Sequence, residues 1–464
     1  MQKKAELLLP AGSLVKLKTA ILYGADAVYA GTPDMCLRAQ SKFSMEELQE
    51  GIEFVHKHNK KIYLTLNLFM HNRDIEKLPT FVKTLQKLKP DGVLIADPGV
   101  FQYVKESAPE LNLFVSTQAN ICSWASVKFW QSMGAKLCVL GREVSFAEIK
   151  EIREKCPDIM LETFMHGAMC MSYSGRCLIS NYLADRSANQ GKCAHCCRWH
   201  YKLHLRLKDG SIKEIIIDEN NRNSFEFLLE EEFRPGEYFE IVEDEHGGYL
   251  LNSKDMCLMP KLPDLLSIGL DSLKIEGRNK TEYYAGVVAR AYRMAIDQWY
   301  ASPNDWDHAP YMSELETLQN RGYCLGFHNG SLTNLSQNYE YTRTLGDWLF
   351  AGSITSWEND DAIMEIRNFI NTDEEFEFLI PNSLKTIKIK LSQFEDAVTG
   401  EITSKVSAGQ NKTIRLRPNI WNQDISLIKK LLPQYTIARK FNPAQKEQAT
   451  MLQHKKEEFA KLLS

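Results

Sequence analysis

AELLLPAGSLVKLKTAILYGADAVYAG, residues 5–31, reads as one complete strand–helix–strand unit. Residues 5–12 form an apolar run that ends at Gly12. Residues 14–24 carry their apolar positions at helical spacing, and 27–31 is a second buried-strand run. The same unit recurs along the chain. A helical pattern over 44–58 precedes KIYLTLNLFM (61–70), and DIEKLPTFVKTLQKL (74–88) precedes GVLIAD (92–97). Further helical patterns separate LFVSTQAN (113–120), LCVLGRE (137–143) and MLETFMHG (160–167). Ser145, with Glu148 three residues on, predicts a capping box for the helix after residue 143. Short apolar strands alternating with helices of about a dozen residues mean parallel βα units. Seven fit before residue 170, and DSLKIEGR (271–278) followed by a helix over 283–300 supplies an eighth. Eight units predict an α/β fold of the TIM-type (β/α) barrel class, with function at the C-terminal ends of the strands. An open doubly wound sheet is the competing topology. The first βα turn, PAGS, lacks the glycine fingerprint of a dinucleotide site.

Two stretches depart from this rhythm. Residues 199–252 alternate polar and apolar positions and read as a β-rich insertion between the seventh and eighth strands. From 335 to 440 short alternating strands are separated by Gly, Asn and Asp, which predicts a small C-terminal β-barrel domain. The expected division is therefore a barrel over 1–330, a β domain over 335–440 and a charged C-terminal helix over 441–464, read as solvated.

The composition is that of a globular chain: 44% hydrophobic and 25% charged, with a formal net charge of −4. This balance excludes recognition of nucleic acid by overall charge and leaves it to local patches. No apolar run approaches the length of a membrane span, so no membrane partner is expected, and the cytoplasm is the expected compartment. Protein partners are not indicated by any motif.

A barrel interior favours branched apolar side chains, so polar residues at the strand ends carry information. They recur as Asn67, Asp97, Gln118 with Asn120, Arg142 with Glu143, Glu162 with His166, and Lys274 with Glu276 and Arg278. Singly, each has a structural explanation. Asp97 can cap the helix that follows it, Glu143 can pair with Arg142, and His166 can be a hydrogen-bonded structural histidine. Together they predict a pocket. Its cations, Arg38, Arg142, Arg176, Arg198, Lys274 and Arg278, suit a carboxylate or phosphate ligand. His166, whose imidazole titrates near neutrality, is the first candidate for acid–base chemistry, and Glu162 the second.

Five of the eleven cysteines, Cys170, Cys177, Cys193, Cys196 and Cys197, fall between Glu162 and Cys197. An odd total in a chain expected to be cytosolic argues against a disulfide framework. Thiolates bind soft metals, and four suit an iron–sulfur cluster or tetrahedral zinc. The wide spacings in a Gly-containing loop favour the cluster over a zinc ribbon. A thiol hydrolase using one Cys with His166 is a further alternative, which leaves the other thiols without a use.

The segment ETFMHGAMCMSYSGRCLIS (162–180) resembles the signature of peptidase family U32, the collagenase-like peptidases. ELLLPAG (6–12), NQGKCAHCCRWHY (189–201), NSKDMC (252–257) and SLKIEGR (272–278) extend the resemblance over roughly residues 5–300. Its better-understood members are similar to one another as oxygen-independent hydroxylases with a 4Fe-4S cluster. CCRWHYKL and EDEHGGYLLNSKDM are most similar to the branch that converts the tRNA wobble uridine to 5-hydroxyuridine, with prephenate as cosubstrate. The resemblance implies Cys170, Cys177 and Cys193 as cluster ligands. It implies Cys257 as the fourth, with Cys197 as the alternative. Asn67, Gln118, Glu276 and the six cations above would then line the site for a small dicarboxylate and a tRNA anticodon loop. Peptidase activity and hydroxylation of ribosomal or other RNA are the alternatives within the family.

Overall fold

A computed structural model describes residues 4–32, 43–170, 172–184, 193–194, 196–198, 204–206, 211–214, 227–230, 238–244, 247–249, 253–329, 346–372, 374–409, 412–442, 456–457 and 459–461. The alternation seen in the sequence becomes seven parallel strands. They are β1 (Glu6–Ala11), β2 (Ala27–Gly31), β3 (Lys61–Leu66), β4 (Gly92–Ile95), β5 (Leu113–Val115), β6 (Leu137–Val139) and β7 (Met160–Ala168). The eighth, Ser272–Ile275, pairs in parallel with both β1 and β7 and closes the barrel. Closure removes every free sheet edge from the ring. It also settles the topology in favour of the TIM-like barrel over an open sheet.

Local chemistry starts the helices where the sequence places them. Ser44 and Glu47 form a reciprocal capping box at the start of Met45–Lys57, and Ser145 with Glu148 does the same for Phe146–Lys155. The Asp97 carboxylate accepts from the Gly99 and Val100 amides at 2.8 and 3.1 Å, so it is a helix cap. Gly12 ends the first strand because a β-carbon there would lie 2.2 Å from the Arg278 carbonyl oxygen. The first βα turn and the end of the closing strand therefore pack backbone against backbone.

Strand β7 does more than complete the ring. Its register with the closing strand slips between Lys274 and Ile275, which pair with Phe164 and His166, leaving Met165 as a bulge. Beyond the bulge, β7 pairs antiparallel with Asp255–Cys257, Cys257 lying opposite His166 and Asp255 opposite Ala168. That strand pairs in turn with Tyr323–Cys324. The stretch after the insertion thus returns to the mouth of the barrel before the eighth strand begins.

Residues of the insertion that are described form short antiparallel pairs, His204–Arg206 with Ile212–Glu214, and Phe227–Glu230 with Tyr238–Asp244 and Gly247–Tyr249. C-terminal residues form an eight-stranded antiparallel half-barrel sheet around a separate core containing Phe376, Phe378, Phe394 and Trp421. Its contact with the barrel is buried and mixed: Leu379 and Ile437 join the barrel core and Phe350 stacks on Tyr283, beside a polar network. Arg290 and Arg439 share Glu314, Arg439 also pairs with Glu377, and the Tyr23 hydroxyl donates to the Leu379 carbonyl while accepting from the Ile437 amide. At the C-terminal end, Phe459 is buried and its ring lies 6.0 Å from that of Tyr323. Lys456 pairs with Glu316 at 2.9 Å, so the described part of the tail, read from its charge pattern as solvated, is docked on the barrel.

Candidate functional site at the barrel mouth

The barrel interior is charged from the middle upward. Glu162 and Lys274 are both buried and form an ion pair at 2.8 Å, with the Ser272 hydroxyl donating to the other carboxylate oxygen at 2.7 Å. Lys274 lies 4.5 Å from the centroid of the Tyr29 ring, and burial lowers its pKa despite the Glu162 charge. Arg278 stands over the same ring at 5.1 Å and donates to Thr65 Oγ1 at 2.9 Å. Arg142 stacks on Phe164 with its guanidinium carbon 3.9 Å from the ring centroid. Asn67 donates to Ser116 Oγ at 3.3 Å.

Just past the ends of β5 and β6, Gln118 Oε1 and Arg142 Nε are buried without a hydrogen-bond partner among the described residues. One is a donor and the other an acceptor. Buried polar atoms are rarely left unmet in a native fold, so an unmet pair at a barrel mouth marks a place for a polar ligand.

The cysteine loop is fastened across this mouth at three points. Glu143, after β6, accepts from the amide and the hydroxyl of Ser174, both at 3.1 Å. Gly175 lies against Gln118, after β5, so closely that a β-carbon would come within 2.4 Å of the Gln118 carbonyl oxygen; its φ of +77° also favours glycine. Arg176 is placed over Phe69, after β3, at 5.8 Å. The alternative Arg142–Glu143 pair does not form; Glu143 is engaged by Ser174 and Asn120. Cys170 and Cys177 flank these anchors. Ser180 Oγ accepts from the Ala194 amide at 2.8 Å, which joins the Cys193–Arg198 segment to the helix that follows Cys177.

The thiols divide by exposure. Cys170 and Cys193 are exposed, Cys177 and Cys197 half-buried, and Cys196 buried. Cys257 is fully buried, 3.8 Å from the Tyr292 hydroxyl and 3.7 Å from the Met312 sulfur, and burial pushes its thiol up to about 12. Among the described residues, no three His, Cys, Asp or Glu side chains converge as a metal site. In chemical type and access, Cys170, Cys177, Cys193 and Cys197 still form a donor set that suits a thiolate-bound cluster.

His166 is elsewhere. Its ring is buried among those of Tyr323, Tyr292 and Tyr284, at 5.3, 5.7 and 6.0 Å, with Nδ1 3.4 Å from the Tyr292 hydroxyl. Burial lowers its pKa to about 4, against the pull of Asp255, so it is neutral at pH 7. This is the surrounding of a wall residue. Glu276 is buried at the end of the closing strand, where its carbonyl accepts from the Tyr284 hydroxyl at 2.6 Å. Arg38 and the side chain of Arg198 lie outside the described residues.

A residue not singled out from the sequence also lines this region. His328 is buried 5.1 Å from the Phe146 ring, and neither ring nitrogen has a hydrogen-bond partner among the described residues. Burial lowers its pKa to about 4, which the nearby Val144 backbone opposes slightly. Nothing in the local sequence, GFHNG, marks it. Three basic residues of the C-terminal β domain are held in ion pairs. Lys388 pairs with Glu375 and Glu377, Arg415 with Glu358 and Asp361, and Arg417 with Asp361 and Glu395. No described helix is long and apolar enough to cross a membrane.

The chain is 40% identical over 413 residues to tRNA hydroxylation protein P of Escherichia coli, covering 85% of this chain and 90% of that one. It is 35% identical over 383 residues to tRNA hydroxylation protein P1 of Bacillus subtilis, covering 82% and 84%. A third relative, the 23S rRNA 5-hydroxycytidine C2501 synthase of Escherichia coli, is 32% identical over 294 residues, 63% of this chain and 39% of that one. The model of peptidase family U32 matches residues 12–338, and the chain belongs to that family.

Proposed function

We propose that the chain is an RNA-modifying enzyme that hydroxylates the wobble uridine of tRNA at C5, with prephenate as cosubstrate and a 4Fe-4S cluster as cofactor. Relatives named as tRNA hydroxylation proteins, aligned over most of both chains, support the reaction class. The observation that carries the site is the unmet pair Arg142 Nε and Gln118 Oε1 beneath a loop of accessible thiols.

In this reading Arg142 and Arg278 hold the carboxylates of the dicarboxylate, and Gln118 accepts from its hydroxyl. Guanidinium groups stacked on Phe164 and Tyr29 are held in plane for bidentate contact. Lys274, balanced by Glu162, contributes shape and a local dipole at the floor rather than a full charge. The Ser174–Glu143 contact keeps the loop over the mouth and limits entry of water. The cluster, when bound, supplies one-electron chemistry that does not require oxygen. Cys170, Cys177 and Cys193 would hold it. Two thiols contest the fourth position: Cys197, half-buried in the loop, and Cys257, which would have to turn away from Tyr292 and Met312. His166 is enclosed by Tyr323, Tyr292 and Tyr284, with Nδ1 at the Tyr292 hydroxyl, and a proton it exchanged would pass through that contact.

Anaerobic purification with iron and sulfide analysis tests the cofactor. Cys170→Ala and Cys177→Ala are expected to lose iron, and Cys156→Ala to keep it. Whichever of Cys197→Ala and Cys257→Ala loses iron names the fourth ligand. One zinc per chain and no iron would overturn the reading.

A further inference from the structure

Large apolar side chains are exposed in one place near the mouth. Tyr182 is 88% exposed, Leu178 69% and Tyr173 66%, and Leu183 beside them is also exposed. These four lie within eleven residues of one another, on the loop that also carries Arg176 and Cys177. The Tyr182 amide donates to the Leu178 carbonyl at 2.9 Å, so the two side chains stand one helical turn apart on a single face. Apolar side chains exposed singly need no explanation, but a ridge of four does. The ridge is not a loose tip. Ser174 on Glu143 and Gly175 on Gln118 fix it to the rim of the barrel.

We infer that Tyr173, Leu178 and Tyr182 form a stacking platform for the unpaired RNA bases beside the target uridine; the inference rests on the function proposed above. A base can reach the barrel mouth only when it leaves its stack, and its neighbours then lose a stacking partner. Aromatic side chains replace that partner, and they do so for any base because every base has a π-face. Arg176, exposed on the same loop and placed over Phe69 where the loop crosses the mouth, gives a backbone lying along the ridge a positive charge to meet as the base turns in. A protein partner would have no reason to need that continuity.

The test uses the full-length, iron-loaded protein and an anticodon stem-loop RNA with 2-aminopurine next to the target uridine. The wild type should quench the 2-aminopurine on binding. Tyr173→Ala with Tyr182→Ala should weaken binding roughly thirtyfold or more and abolish the quench, since two stacked bases at about 1–3 kcal/mol each are lost. Tyr182→Phe, which keeps the ring, should bind and quench as the wild type does. Iron content should be equal in all three. Unchanged affinity and quench in the double variant would overturn the inference. So would unchanged affinity with a shifted sedimentation coefficient, which identifies a dimer contact, or with a lowered melting temperature, which identifies packing against the chain itself. Formation of 5-hydroxyuridine by the wild type is measured alongside. If it is absent, the proposed reaction fails whatever the ridge does; if it is present and equal in the double variant, only the platform fails.

Discussion

Lys274 Nζ stands 2.8 Å from Glu162 Oε1 with both side chains buried inside the barrel. Burying two charges costs more than one pair returns in most settings, so each is tolerated because of the other. Removing one partner leaves an uncompensated charge. Lys274→Met is expected to destabilise the fold by about 3–5 kcal/mol. The double variant Lys274→Met with Glu162→Gln is expected to recover most of that loss. Urea unfolding of the wild type, both single variants and the double variant checks this; a double-variant loss equal to the sum of the two single losses would show that the residues act independently.

Gly175 against Gln118 is the tightest anchor of the thiol loop. Gly175→Ala has no room for its β-carbon and an unfavourable φ. The barrel does not depend on that contact, so melting temperature should change little. Iron retention and tRNA hydroxylation should both fall, by about tenfold or more if misplacement reaches the order of an ångström. Iron analysis beside a melting curve separates this local effect from unfolding.

Arg142 is expected to act on the cosubstrate and not on the fold. Arg142→Met keeps the packing on Phe164 and removes the charge. A lost hydrogen bond to a charged group costs about 1.5–3 kcal/mol, so the apparent KM for prephenate should rise roughly ten- to a hundredfold, with iron content unchanged. Arg142→Lys should not rescue it, because an ammonium cannot reproduce the planar fork. An unchanged KM would place the dicarboxylate elsewhere.

Stability should decline with acid in a window set by two histidines. His166 and His328 are each lowered by burial to about 4, whereas an unfolded histidine titrates near 6.5. Between those values the unfolded chain binds the extra proton. The stabilisation is therefore complete above about pH 6.5 and is lost as pH falls toward 4, by about 1.4 kcal/mol per pH unit for each residue. His328→Leu should flatten the slope of unfolding free energy against pH by that amount. It should also be tolerated at pH 7, because both ring nitrogens of His328 lack partners among the described residues. An unchanged slope would contradict the assignment.

The barrel was legible because its information is local and periodic. Each strand from β1 to β7 is a short apolar run between turn residues, and the caps at Ser145 and Asp97 are written in the sequence. The grouping of five cysteines was legible for the same reason: they are close in the chain. What lay beyond reading was set by contacts distant in sequence. The bulge at Met165 and the antiparallel strand Asp255–Cys257 bring together residues some ninety positions apart. They turn His166 into an aromatic cage with Tyr292 and Tyr323, and a histidine at a strand end looks the same in sequence whether it faces a pocket or a wall. Glu143 could as well have paired with Arg142; only the return of Ser174 across the mouth decides otherwise. His328 had no local signal at all.

The most direct test is anaerobic incubation of the iron-loaded protein with unmodified tRNA and prephenate, followed by mass spectrometry of the digested nucleosides. The expected result is prephenate-dependent 5-hydroxyuridine at the wobble position, lost in Cys170→Ala. The contradicting result is an iron-replete wild type that leaves the wobble uridine unchanged.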